Sequence, residues 1–211
     1  MKTIFQLLLA GILMIAVACS SDDTKEAAAD QGAPAIPEAQ EMTVDPNAAY
    51  TPVAEGVTIA AITFYPHEGW NDLGPSGMRK AEYAYGPIGE EADSATLTVY
   101  YFGPDQGGGV EANLQRWIGQ MTLAENAEPK RLETTVEGMK AHMVEARGTY
   151  NVSSGMMMGG DATPKEGYLM SAVVLETDQG NVFFKLTGPQ ATAREMAGSF
   201  KKMLENIEKA G

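Results

Sequence analysis

Five side chains have the chemistry to meet a charged or polar partner: Trp70, Arg79, Asn113, Arg116 and Lys185. Each lies beside a loop or a helix start, where such groups can line one end of a sheet and form a shared binding surface. The bland alternative is that Arg116 and Lys185 pair with acids of an acidic chain. Trp117, next to Arg116, sits on an apolar helical stripe and reads as core. A second kind of chemistry is offered by Met156-Met157-Met158, flanked by Gly155 and Gly159. With His142 or His67, and with Met143, these thioethers could present soft ligands to Cu(I). They could equally serve as adaptable apolar cover. No tight ligand spacing accompanies them, so neither a resident metal nor a cofactor is expected. Gly107-Gly108-Gly109 precedes a helix, whose N–H groups can cradle an anion. No Lys-Ser/Thr pair follows, and Asp105 and Glu111 flank the loop with the wrong charge, so it reads as a turn. His67 and His142 are the only histidines. Neither a nucleophile elbow nor a Cys/His pair is apparent, and a non-enzyme is expected.

The remaining reactive group is Cys19, the only cysteine of the chain. It cannot form an intramolecular disulfide, so the domain must be held by its core. Directly before it runs an apolar stretch from Ile4 to Ala18, with Lys2 ahead of it. That stretch has the length of a signal-peptide core and falls short of the roughly 20 residues needed to cross a bilayer. Ala16-Val17-Ala18-Cys19 resembles a bacterial lipobox, with Ala16 where Leu is usual. The resemblance implies cleavage before Cys19 and attachment of lipid, palmitate included, to its sulfur. Segments 1–18 and 19–54 would then be signal peptide and tether, with the domain at 55–211. Ser20, rather than Asp, follows the cysteine, which in enterobacterial sorting favours the outer membrane over the inner. The expected setting is the cell envelope, facing the periplasm, with the lipid bilayer and an envelope protein as partners.

A net charge of -13 argues against nucleic acid and against electrostatic adhesion to anionic lipid. From Ser20 to Tyr50 seven acids face Lys25 alone, and no aromatic occurs before Tyr50. Such a stretch cannot bury enough surface to offset its chain entropy and reads as a disordered tether. As a flexible coil it would span roughly 30 Å, lengthened by Pro34, Pro37 and Pro46.

These groups need a scaffold, and the hydrophobic periodicity supplies one. Strands are expected at Gly56–Tyr65, Met78–Tyr85, Thr96–Phe102, Arg131–Glu137, Lys140–Tyr150, Gly167–Glu176 and Val182–Leu186. Asp178-Gln179-Gly180-Asn181 has hairpin-turn chemistry, and 151–166 reads as a loop. Val110, Leu114, Trp117, Ile118 and Met121 mark one helix. Met196, Phe200, Met203, Leu204 and Ile207 mark a second, with Pro189 at its first position. The fold class is therefore α+β, a central antiparallel sheet of six to seven strands with two main helices packed on it. The order of elements resembles PsbP-like domains: an early strand, Pro66 and Trp70, Arg79 in the next strand, the passage from Tyr100 to Trp117, and the late hairpin feeding a terminal helix. The Phe-Lys-Leu-Thr-Gly-Pro ending is similar to that of uncharacterised envelope lipoproteins. The resemblance implies an α/β/α sandwich that binds or assembles with larger complexes and carries no catalytic set. The expected function is a membrane-anchored, non-catalytic binding or assembly module. The alternative is a periplasm-facing copper or small-ligand binding protein using the Met-rich loop.

Overall fold

The computed structural model describes residues 49–152 and 163–210. Strands alternate apolar and polar residues because successive side chains point to opposite faces of a sheet. Here both faces find cover, so both alternating sets contribute to a core.

The chain begins with β1 (Val57–Ile59) and β2 (Ile62–Phe64), then β3 (Asn71–Asp72), β4 (Arg79–Tyr85) and β5 (Ala95–Tyr101). Helix α1 (Val110–Ile118) follows, then β6 (Met121–Leu123), β7 (Lys130–Val136), β8 (Met139–Val152), β9 (Thr163–Thr177) and β10 (Gly180–Pro189). Helix α2 (Gln190–Glu205) and β11 (Glu208–Lys209) close it. The main sheet has the order β3-β4-β5-β10-β9-β8-β6, with β7 also paired to β8. All its pairings are antiparallel. A small sheet runs β1-β2-β11.

One face of the main sheet is covered by α2 and the small sheet. Leu97, Val99, Leu169, Val173, Phe184 and Leu186 pack there against Ile62, Phe64, Met196, Phe200 and Met203. The opposite face is covered by α1, with Leu114 and Trp117 against Val144, Met170, Val174 and Phe183. Trp117 meets Phe183 edge-on at 6.3 Å. The α+β class and the two helices packed on an antiparallel sheet are as the periodicity predicts.

Several details differ from the sequence reading. The expected single strand at 56–65 is a hairpin that turns at Ala60, φ 55°. Val57 and Ile59 share one parity and Ile62 and Phe64 the other, so one continuous strand could not put all four on one face. Met121 belongs to β6 and not to the helix, which ends at Gly119. Pro189 is still paired in β10 and forms the N-cap, so the helix begins one residue later. Strands β3, β6 and β11 are too short to show a period. Tyr50 and Pro52, ahead of β1, lie against the residues that follow β2. The Tyr50 hydroxyl donates to the Tyr65 carbonyl, and Pro52 bridges to His67.

Candidate functional site

Helix α1 packs on β8 and β9. On the same face, the rows over β5, β4 and the inner part of β10 are left half-buried: Glu82, Thr96, Thr98, Tyr100 and Thr187. Lys185 lies in this region because strand parity aims it there. Its neighbours Phe184 and Leu186 point into the α2 side, and Thr98 of β5 stands opposite it. A charged residue on the central strand of the main sheet is unusual, and here it is 9% exposed.

The Lys185 ammonium donates to Oε1 of Gln120 and to the Tyr150 hydroxyl at 3.1 Å. It also lies 4.9 Å from the centre of the Tyr150 ring, within cation–π range. Burial, and to a smaller extent the charge of Arg116, push its pKa down to about 8. Tyr150 reaches this position through a register slip between β8 and β9 at Gly148/Tyr150. Gly148 has φ 148°, and a Cβ there would stand 2.1 Å from the Thr122 carbonyl oxygen, so only glycine lets β6 pair so closely. Tyr150 stacks with Tyr168 at 6.0 Å. The Tyr168 hydroxyl donates to Asp93, which also pairs with Lys165 at 2.7 Å. Hydrogen bonds from Lys165 and Tyr168 hold the Asp93 carboxyl below its ordinary range.

Arg116 is exposed and extends from the last turn of α1. One of its nitrogens donates to Asn113 Oδ1 at 2.6 Å. Asn113 is buried, and its amide donates to the carbonyls of Gly107 and Gly109, both at 2.9 Å. The glycine loop is therefore tied down through its carbonyls by the helix that follows. Gly107 is required by space: a Cβ there would lie 2.7 Å from Phe102 and 2.8 Å from Phe183.

Among the described residues, neither Lys185 nor Arg116 has a carboxylate partner; Lys80, Lys130, Lys140, Arg194 and Lys209 also lack one, and of all these Lys185 alone is buried. In a chain of net charge -13 this is a local positive spot without its counter-ion. Three of the five predicted surface residues thus lie near the end of α1: Asn113 holds Arg116, and Gln120, one turn further on, holds Lys185. Arg79 lies on the same face, opposite Tyr100, at the rim of the region. Its guanidinium is engaged by Glu82 at 2.7 Å, which with Tyr100 raises its pKa. Trp70 does not join them. It is 7% exposed and packs in the α2-side core, 6.0 Å from the Tyr83 ring. Gln120, Tyr100 and Tyr150 were missed. The available signal was a lysine inside the run Phe183-Phe184-Lys185-Leu186, which demands polar partners wherever it is buried.

His142, one of the described members of the proposed metal set, stands between two acids. Its Nε2 is 2.6 Å from Glu176 and its Nδ1 is 3.4 Å from Glu133. Among the described residues no group of three His, Cys, Asp or Glu side chains could hold a metal ion. Met156, Met157, Met158 and Cys19 lie outside the described residues. On the other face, α2 and β7 flank a groove of about 620 Å³ floored by Ala141, Met143, Val173 and Leu175. Its rim carries both signs, Lys201 and Glu205, 3.9 Å apart. No set of polar groups converges on it to orient a ligand.

No family model matches the chain, and no curated protein does. Among solved structures it is similar to LpqN, involved in cell envelope biogenesis of Mycobacterium tuberculosis. The identity is 13% and the TM-score 0.49, over 76% of this chain and 90% of that one. It is also similar to a cyanobacterial PsbP, CyanoP from Synechocystis, at 12% identity and TM-score 0.41, over 75% and 98%. PA94 from Pseudomonas aeruginosa, a protein of unknown function, aligns at 13% identity and TM-score 0.37, over 75% and 90%. Likenesses this distant carry no residue and no activity across. The α+β class rests on this chain's own layers and register.

Proposed function

We propose that this protein is a non-catalytic binding module of the bacterial cell envelope. It is held at a membrane by lipid on Cys19, faces the periplasm, and sits at the outer membrane in preference to the inner. The observation that carries the binding role is the half-covered sheet face beside α1. It concentrates Arg116, Lys185 and three tyrosines at one place on an acidic chain. The Lys2-to-Cys19 segment supports the anchor. No described helix is long and apolar enough to cross a membrane, and the attachment proposed is the lipid.

Two measurements test the two halves separately. Metabolic labelling with palmitate should mark the wild-type chain in the membrane fraction and fail to mark Cys19→Ala. Equal labelling of that variant overturns the anchor. Photo-cross-linkers placed at Thr98 and Thr187, on the half-covered face, should give the same envelope adduct in cells. One at Lys202, on α2, should not. Adducts from all three positions, or from none, remove the face as the site of binding.

A further inference from the structure

The geometry points to the Arg116–Lys185–Tyr150 cluster as a binding site for a phosphate group, either free or at the head of a membrane lipid. The inference deepens the binding role proposed above and rests on it. Arg116 lies one helical turn ahead of Gln120, whose Oε1 accepts from the Lys185 ammonium; Lys185 is nine-tenths buried, and no described carboxylate pairs with either cation. A buried charge left without a counter-charge is costly, and a bound anion removes that cost.

The donor inventory argues for the kind of anion. The Lys185 ammonium has three protons and directs two, to Gln120 and to the Tyr150 oxygen. One proton remains. Tyr150 accepts from Lys185, so its own hydroxyl proton is free to donate outward. Arg116 commits one nitrogen to Asn113 and keeps the rest of its fork. Three different groups therefore each hold at least one uncommitted donor. They match the three terminal oxygens of a phosphate monoester better than the two of a carboxylate. The site is reachable because Arg116 is exposed and Thr98, Tyr100, Gln120 and Tyr150 around Lys185 are half-buried. Of the described cations that lack a carboxylate partner, Lys185 alone is buried, which distinguishes the cluster from the solvated Lys80, Lys130, Lys140 and Lys209.

The test uses the full chain in neutral detergent micelles, with inorganic phosphate as the titrant and heat of binding as the readout. Four proteins are compared: wild type, Arg116→Gln, Lys185→Met, and Arg131→Gln as a control in an ion pair outside the cluster. Wild type and the control should bind saturably, and the other two at least about tenfold more weakly, a loss of roughly 1.4 kcal/mol. Arg116 is exposed, so its variant keeps the fold even if Lys185→Met does not; thermal melts verify this. Repeating the titration in micelles doped with phosphatidic acid, whose headgroup is a phosphate monoester, then distinguishes the sources. Loss of free-phosphate binding in the doped micelles assigns a lipid headgroup. Free-phosphate binding that the doping leaves undiminished assigns a soluble ligand. Absence of saturable binding by wild type, or equal binding by all four proteins, overturns the site. Acetate binding as tightly as phosphate overturns the phosphate class. If the site fails while the cross-links from Thr98 and Thr187 persist, the binding module stands and only its ligand is wrong.

Discussion

Lys185 concentrates the residue-scale physics of this protein. A lysine ordinarily titrates at 10.5, and this one at about 8, because burial penalises its charged form and Arg116 repels it. The unfolded chain therefore binds more protons than the folded one between those two values. Stability due to this group rises with pH across that window. Below about 8 both states are protonated, and the full cost of burying the ammonium is present. Urea denaturation of the wild type should become harder as pH rises from about 8 toward 10, and Lys185→Met should lack that increment. Above 10 the sign reverses. Tyr50, Tyr83 and Tyr85 are pushed up to about 12, so their contribution is complete below 10 and is lost as pH rises through 12. A flat profile for the wild type between about 8 and 10 would count against the buried ammonium. At neutral pH, Lys185→Met should cost little or even stabilise, since an apolar replacement of similar length removes a desolvated charge.

At the scale of elements, the ends of α2 and the switch at the end of β8 decide the most. Pro189 at the N-cap has no side-chain oxygen to offer the first turn. Glu91, from the loop between β4 and β5, does that work from a distance. Its carboxylate accepts from the Ala191 and Thr192 N–H groups at 3.0 and 2.8 Å and from the Thr192 hydroxyl. Burial alone would raise its pKa. The hydrogen bonds from Thr192 and Ala191 overcome that and leave it lowered from 4.5. Glu91→Ala should cost about 1 kcal/mol in chemical denaturation. The stabilisation is fully present above the unfolded value of 4.5 and is lost as pH falls through the lower folded value. The gap between wild type and variant should therefore close on acidification; a gap that stays constant would mean the effect is packing. At β8, Gly148→Ala forces a methyl group against the Thr122 carbonyl. Overpacking at this backbone contact should destabilise by about 2–3 kcal/mol. It should also speed hydrogen exchange in β6 ahead of β5, and uniform exchange would say that β6 does not depend on this approach.

For the molecule as a whole, the described C-terminal segment closes the α2-side core. Past α2, Ile207 is 1% exposed, and β11 pairs with β2. The Ala210 N–H donates to the Ala61 carbonyl at 2.9 Å, and the Tyr65 hydroxyl donates to Glu208 at 3.0 Å. The first hairpin and the last residues thus secure one another across nearly the full length of the domain. Ile207→Ala should cost about 3 kcal/mol, through lost burial and the cavity left behind. A loss under 1 kcal/mol in thermal or urea unfolding would show that this seam is peripheral. The layering also explains the binding face. Helix α2 has nine buried residues and the small sheet beside it, so its side of the main sheet has ample cover. Helix α1 has nine residues in all and is too short to span the other side. The polar rows left beside it hold Lys185, next to the end of α1 that carries Arg116.

Much of this was already written in local pattern. The alternation of Leu97 and Val99 against Thr98 and Tyr100 fixes a strand and its two faces, because neighbouring side chains must point opposite ways. The spacing of Leu114 with Trp117, and of Met196 with Phe200 and Met203, fixes two helices and the stripe each buries. The parity break between Ile59 and Ile62 even encodes the hairpin that a simple apolar count merges into one strand. Part of the site was legible as well, since Asn113, Arg116 and Lys185 could be named from residue type and place. What no local pattern carries is adjacency. Lys185 and Gln120 are 65 residues apart in the chain, and Lys185 and Tyr150 are 35 apart. Their meeting depends on β10 lying between β5 and β9 and on the register slip at Gly148. Residue type gave Trp70 and Arg116 equal standing, but sheet packing buried one on the α2 side and exposed the other beside α1. The sequence by itself determined the elements and their apolar faces, because periodicity is a short-range property of the chain. Only the tertiary structure decided which cations share a site and which lack a counter-ion, because that depends on strand order.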